Sequence, residues 1–162
     1  MPRIELSTEI SSSVQICFDL SRSVDLHKLS TAKTDEEAVA GKTGGLLDLN
    51  ETVTWRATHF FIRQNLTTKI TALQSPIYFV DEQLNGIFKS LRHQHIFTQD
   101  GDKVIMTDIF DFESPAGILG QLFNRLMLTS YMRKFLMERN QIIKQFAESD
   151  RWTEVMDPKN YK

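Results

Sequence analysis

The sequence predicts an α+β chain in which a curved antiparallel sheet of about six to seven strands surrounds a long C-terminal helix. Three observations carry that expectation. Residues 51–112 break into β-patterned runs separated by turn dipeptides. The segment from Ala116 to about Ala147 contains no proline and carries apolar residues at helical spacing. Two short serine-capped segments follow the first strand.

Taken in order, Ile4, Leu6 and Thr8 alternate with Glu5, Ser7 and Glu9 as a first strand. Ser12 or Ser13 can cap a helix over Ser13–Leu20, and Ser21 or Ser23 another over Ser23–Leu29. Thr34–Ala40 reads as a polar strand near an edge, and Gly44-Gly45 as a turn or bulge. Strands are expected at Glu51–Phe61, Leu66–Gln74, Ile77–Leu84, Ile87–Thr98 and Lys103–Phe112. Ser75-Pro76, Asn85-Gly86 and Gln99-Asp100-Gly101-Asp102 punctuate them. Hairpin turns make such a sheet antiparallel. The last helix can bury Leu119, Leu122, Tyr131, Leu136, Ile143 and Phe146 only against it. Gly117 and Gly120 predict a kink or a separate short helix at its start. Residues 1–148 are expected to form one ligand-binding domain, and 149–162 an irregular tail.

Composition narrows the function classes. With 41% hydrophobic and 25% charged residues and a net charge of -2, the chain has no general attraction for nucleic acid. Cys17 is the single cysteine, which rules out an intrachain disulfide and reads as a small buried hydrophobe. The first residues hold no apolar run of signal-peptide length, and no stretch approaches a membrane span, so a cytoplasmic location is the default expectation.

Strand alternation assigns faces. Glu51, Val53, Trp55, Ala57 and His59 share one, as do Leu91, His93, His95 and Phe97, and Met106, Asp108, Phe110 and Phe112. Phe79, Asp81 and Gln83 are the inward set of a less clear strand. The concave face is then apolar with Glu51, His59, Asp81, His93, His95 and Asp108 set into it. Burying so many ionisable groups costs several kcal/mol unless they pair. A plain core has no need of them, so they mark a site.

Several stretches also resemble a bacterial branch of the SRPBCC, or START-like, superfamily that is labelled polyketide cyclase/dehydrase-like. They are Val39-Ala40-Gly41, Gly45, Glu51-Thr52-Val53-Thr54-Trp55-Arg56, Pro76 to Glu82, Gly86 to Phe97, Met106-Thr107-Asp108 and Ser114-Pro115-Ala116-Gly117. The resemblance runs from Ile4 to Phe146 and implies a helix-grip fold with a hydrophobic cavity. Asn50 stands where many relatives have glycine, and asparagine tolerates left-handed geometry. Lipid-transfer domains, plant hormone-binding proteins and aromatase/cyclases share that fold, so it does not decide function.

The expected ligand-binding set is Glu51, Trp55, His59, Phe79, Asp81, Leu91, His93, His95, Phe97, Met106, Asp108, Phe110, Leu126 and Met127. His93, His95 and Asp108 are candidates for acid–base chemistry. His93 and His95 lie two apart on one strand, about 7 Å from each other, and Glu51, His59 or Asp108 could complete a metal set. No CxxC, HExxH or facial-triad pattern appears, so a hydrogen-bonded His–carboxylate network is expected, with no metal and no cofactor. The aromatics, and Met127, Met132 and Met137, serve equally as core packing. Arg133, Lys134, Arg139 and Lys144 are expected on the solvated side of the last helix. Three functions remain: a carrier or sensor of a small hydrophobic or amphipathic molecule, a cyclase or dehydratase, and a protein-interaction module. The partner expected first is the small molecule, with a weak homodimer left open.

Overall fold

A computed structural model describes residues 1–59, 61–113 and 127–161. The strands are β1 (Arg3–Ile10), β2 (Glu37–Gly41), β3 (Thr52–His59), β4 (Ile62–Gln74), β5 (Tyr78–Asn85), β6 (Ser90–Asp100) and β7 (Lys103–Glu113). The helices are α1 (Val14–Ser21), α2 (Val24–Ser30) and α3 (Thr129–Ala147). The strands form one curved antiparallel sheet in the order β1-β7-β6-β5-β4-β3-β2, with α1 and α2 inserted between β1 and β2. Among the described residues no helix is long and apolar enough to cross a membrane.

Both short helices start on serine caps. The Ser13 side chain accepts from the Ile16 N–H and Ser23 from the Leu26 N–H, satisfying donors that a helix start leaves unpaired. In α3, Met132, Leu136, Arg139, Asn140, Ile143 and Phe146 are buried at three- and four-residue spacing. That stripe packs on β1, α1 and α2. The kink expected at Gly117 and Gly120 lies outside the described residues.

The apolar core has two parts. One sits beneath α1 and α2 and includes Phe18, Trp55, Phe79, Phe97, Met106 and Phe146. There Phe18 meets Phe79 and Phe97 edge to face at 5.6 and 5.5 Å, the geometry that aromatic quadrupoles favour. The other joins Ile4, Leu91, Phe110, Phe112, Leu128, Met132 and Leu136.

Several boundaries differ from expectation. β4 starts at Ile62 because Arg63 and Asn65, on an exposed stretch, still pair with Thr58 and Arg56. Residues Ala32–Thr34 form a 3-10 turn and β2 begins only at Glu37, at the sheet edge. Asn85-Gly86 does not close a tight hairpin. β5 and β6 pair from Tyr78↔Ile96 to Glu82↔Arg92 and then part, β5 following β4 and β6 following β7. The segment after α3 forms 3-10 turns at Asp150–Glu154 and Pro158–Tyr161. It docks back on the core, with the Tyr161 hydroxyl donating to Asp19.

Candidate functional site: a cavity with two polar groups in its wall

A cavity of about 370 Å³ lies between the sheet and α3, walled by members of both core parts. Its lining is mostly apolar: Leu47, Trp55, Ile70, Phe79, Leu91 and Phe110 come from the β2–β3 connection and the sheet, and Leu128, Met132, Phe135 and Leu136 from the helical side. Where β5 and β6 separate, Ile87 and Phe88 complete the wall.

One polar cluster is built on three neighbouring strands. Asp81 comes from β5, His93 and His95 from β6, and Asp108 from β7. His93 Nε2 donates to Asp108 Oδ1 at 2.7 Å. His95 Nε2 lies 2.9 Å from Asp81 Oδ2. His95 Nδ1 is 3.1 Å from Asp108 Oδ1 but out of line for a hydrogen bond. The rings lean together until their centroids are 3.8 Å apart, about half the separation that strand spacing alone suggests. Phe79 stacks on the far side of His95 at 4.1 Å. From α3, the Asn140 amide donates to Asp108 Oδ2 at 2.7 Å, and Arg139 brings a guanidinium nitrogen to 3.7 Å from Asp108 Oδ1.

This setting decides the charges. Burial alone would raise the Asp108 carboxyl, but the His93 hydrogen bond and the adjoining His95 ring hold it well below the usual carboxylate range. Asp81 is lowered in the same way, burial being outweighed by the His95 hydrogen bond. His93 goes down to about 4, first through burial and then through the neighbouring His95, although both carboxylates oppose the shift. At neutral pH the group therefore presents ionised carboxylates around a neutral His93, with Arg139 as counter-charge.

A second polar group lines another part of the wall. His27 of α2 stacks on Trp55 with centroids 4.1 Å apart, and its Nε2 lies 3.3 Å from Glu36 Oε2 without a hydrogen-bonding alignment. Burial would raise Glu36, but the neighbouring His27 imidazole, with help from His59, lowers it. His59 is itself lowered by burial and lies 2.7 Å from the Tyr131 hydroxyl through Nδ1.

Of the expected residues, Trp55, His59, Phe79, Asp81, Leu91, His93, His95 and Phe110 line the cavity, and Asp108 sits directly behind the two histidines. Four others do not reach it. Glu51 precedes β3 in the turn where Asn50 takes φ 68, and its carboxylate binds Lys42 and the Asp48 N–H. Phe97 and Met106 are on the inward face but too far along their strands, and they fill the core under α1. Met127 is exposed at the start of the helical segment. Leu126 lies outside the described residues.

The sequence reading also missed Glu36, Tyr131, Arg139 and Asn140. Arg139 is buried rather than solvated, and the signal was available: it lies three residues after Leu136 and four before Ile143, on the apolar stripe. Glu36 had no such signal, since it sits in a polar run.

No family model and no curated protein matches the sequence. Solved structures do match. The protein TTHA0849 of Thermus thermophilus superposes with a TM-score of 0.74 at 13% identity, over 96% of this chain and 100% of that one. A START superfamily protein from Mycobacterium smegmatis gives 0.68 at 10% identity, over 88% and 97%. The chain has the START-like helix-grip fold. Ginseng major latex-like protein 151 from Panax ginseng shares this START-like architecture, with a TM-score of 0.66 at 16% identity over 91% and 98%. At these identities the START-like likeness speaks for architecture and leaves chemistry to the cavity itself.

Proposed function

We propose that the protein binds a small hydrophobic or amphipathic molecule in the cavity between sheet and α3, as a non-catalytic carrier or sensor. The observation that carries this reading is the cavity: about 370 Å³, mostly apolar, with polar groups at two separate places. Ligand pockets of roughly 300–1,000 Å³ with a few converging polar groups accommodate drug-sized molecules. Apolar walls supply affinity at about 25 cal/mol per Å² buried. His59, Tyr131 and the Asp81–His93–His95 cluster orient the polar part of the guest. Native mass spectrometry and quenching of Trp55 fluorescence by an added lipophile test this. A retained or added lipophile, lost in a cavity-filling variant, is the expected result. Repeated absence of any adduct and of any quenching overturns it.

A second reading is an enzyme of the cyclase or dehydratase kind. It is favoured by His93 and Asp81, a neutral base and a carboxylate, facing the same apolar space. Turnover that survives in folded His93→Gln and Asp81→Asn variants removes it.

A further inference from the structure

We infer that Asp81, His93 and His95 form a binding site for one divalent first-row transition-metal ion on the cavity wall. One donor atom from each residue lies within 4.8 Å of the other two. The site does not depend on the carrier reading, since metal uptake and lipophile uptake are measured separately.

The two imidazoles sit between two carboxylates. Asp108 Oδ1 lies near one nitrogen of each ring: His93 Nε2 at 2.7 Å and His95 Nδ1 at 3.1 Å. Asp81 Oδ2 lies near the other nitrogen of each: His95 Nε2 at 2.9 Å and His93 Nδ1 at 4.0 Å. A neutral imidazole has one N–H. With the His93 proton on Nε2 turned to Asp108, its Nδ1 faces Asp81 Oδ2 at 4.0 Å with no proton between them. With the His95 proton turned to Asp81, its Nδ1 lone pair faces Asp108, and that buried atom has no hydrogen bond. A cation on the Asp81 side removes this lone-pair conflict in one step. It leaves His93 Nε2 donating to Asp108 Oδ1, the arrangement in which a metal-bound histidine is held by a carboxylate behind it.

Geometry and donor type agree. Donors about 2.1 Å from one ion stand roughly 3 to 3.5 Å apart. The His95–Asp81 separation is already there, and the His93–Asp81 separation closes by about 0.5 to 1 Å through side-chain rotation. Two imidazoles and one carboxylate suit zinc or ferrous iron, not magnesium or calcium. All three residues line the cavity, so the remaining coordination positions face a guest. Sequence spacing offered His93 and His95; the third donor is Asp81 of β5, not Glu51 or His59, and Asp108 is the carboxylate behind the rings.

The test is calorimetric titration of zinc chloride into the chelator-treated full chain, with cobalt(II) absorption as a report on nitrogen coordination. The expected result is one ion per chain, with affinity reduced more than about tenfold in Asp81→Asn, whose side chain is on the cavity wall and partly exposed. Asp108→Asn is expected to weaken binding roughly 10–100-fold at unchanged stoichiometry. Folded wild-type protein that takes up no zinc, leaving the cluster to a proton alone, overturns the inference. So does uptake that Asp81→Asn leaves undiminished, which identifies an adventitious ion.

Discussion

His93 stands opposite Asp81 in the β5–β6 ladder, yet its hydrogen bond goes to Asp108, the residue opposite its neighbour His95. His95, opposite Phe79, in turn reaches diagonally to Asp81. Diagonal neighbours on a sheet face are within reach of long side chains, and here the crossing stacks the two imidazoles between two carboxylates.

That crossing makes Asp108 hard to remove. It is fully buried and receives bonds from His93 and Asn140 beside the Arg139 guanidinium. Asp108→Ala leaves those donors and a charge without their acceptor, and should destabilise by about 3 to 5 kcal/mol. A melting temperature lower by on the order of 10 °C is expected in calorimetry. A loss below about 1 kcal/mol would show that the network is not holding these strands.

Glu36 predicts an acid limb to the stability curve. Its folded pKa is lowered, so its contribution is complete above the unfolded carboxylate value and disappears as pH falls through the folded one. The groups acting on it are His27 on α2, His59 on β3 and the Thr31 hydroxyl. Glu36→Gln should be less stable than wild type at pH 7, and the gap should close below about pH 4. Urea midpoints across pH 3 to 7 measure this; a gap constant over that range contradicts it.

Cys17 is buried, and burial pushes its thiol up to about 12. The native protein should not react with Ellman's reagent at pH 8, while the denatured chain releases one equivalent. Rapid labelling of folded protein is the contrary result.

Ala57 is a small residue on the cavity wall, 4% exposed. Ala57→Phe should fill space next to Trp55 and reduce lipophile binding about tenfold or more. Because the added ring enters a cavity rather than a packed core, melting temperature should not fall. Unchanged binding in this variant places the guest elsewhere.

Much of this organisation was legible in the residues. Serine caps marked both short helices, and period-two alternation put His93, His95 and Asp108 on the face that turns inward. Alternation says which face a side chain takes, but not how far along the strand the cavity extends. Phe97 and Met106 therefore share the correct face and still end up in solid core. Glu51 failed for a different reason: it sits one residue before β3, where the turn redirects it to Lys42.

The chain's own periodicities thus determined the element order, the antiparallel sheet, the buried stripe of the last helix and the inward histidines. These are local properties, set by backbone geometry and by which side chains avoid water. Only the tertiary structure decided that Asp81 meets His95, that Arg139 and Asn140 descend on Asp108, and that Glu36 faces His27. Those meetings depend on register, ring tilt and the seating of α3, which arise from contacts between residues far apart in sequence and leave no mark in local spacing.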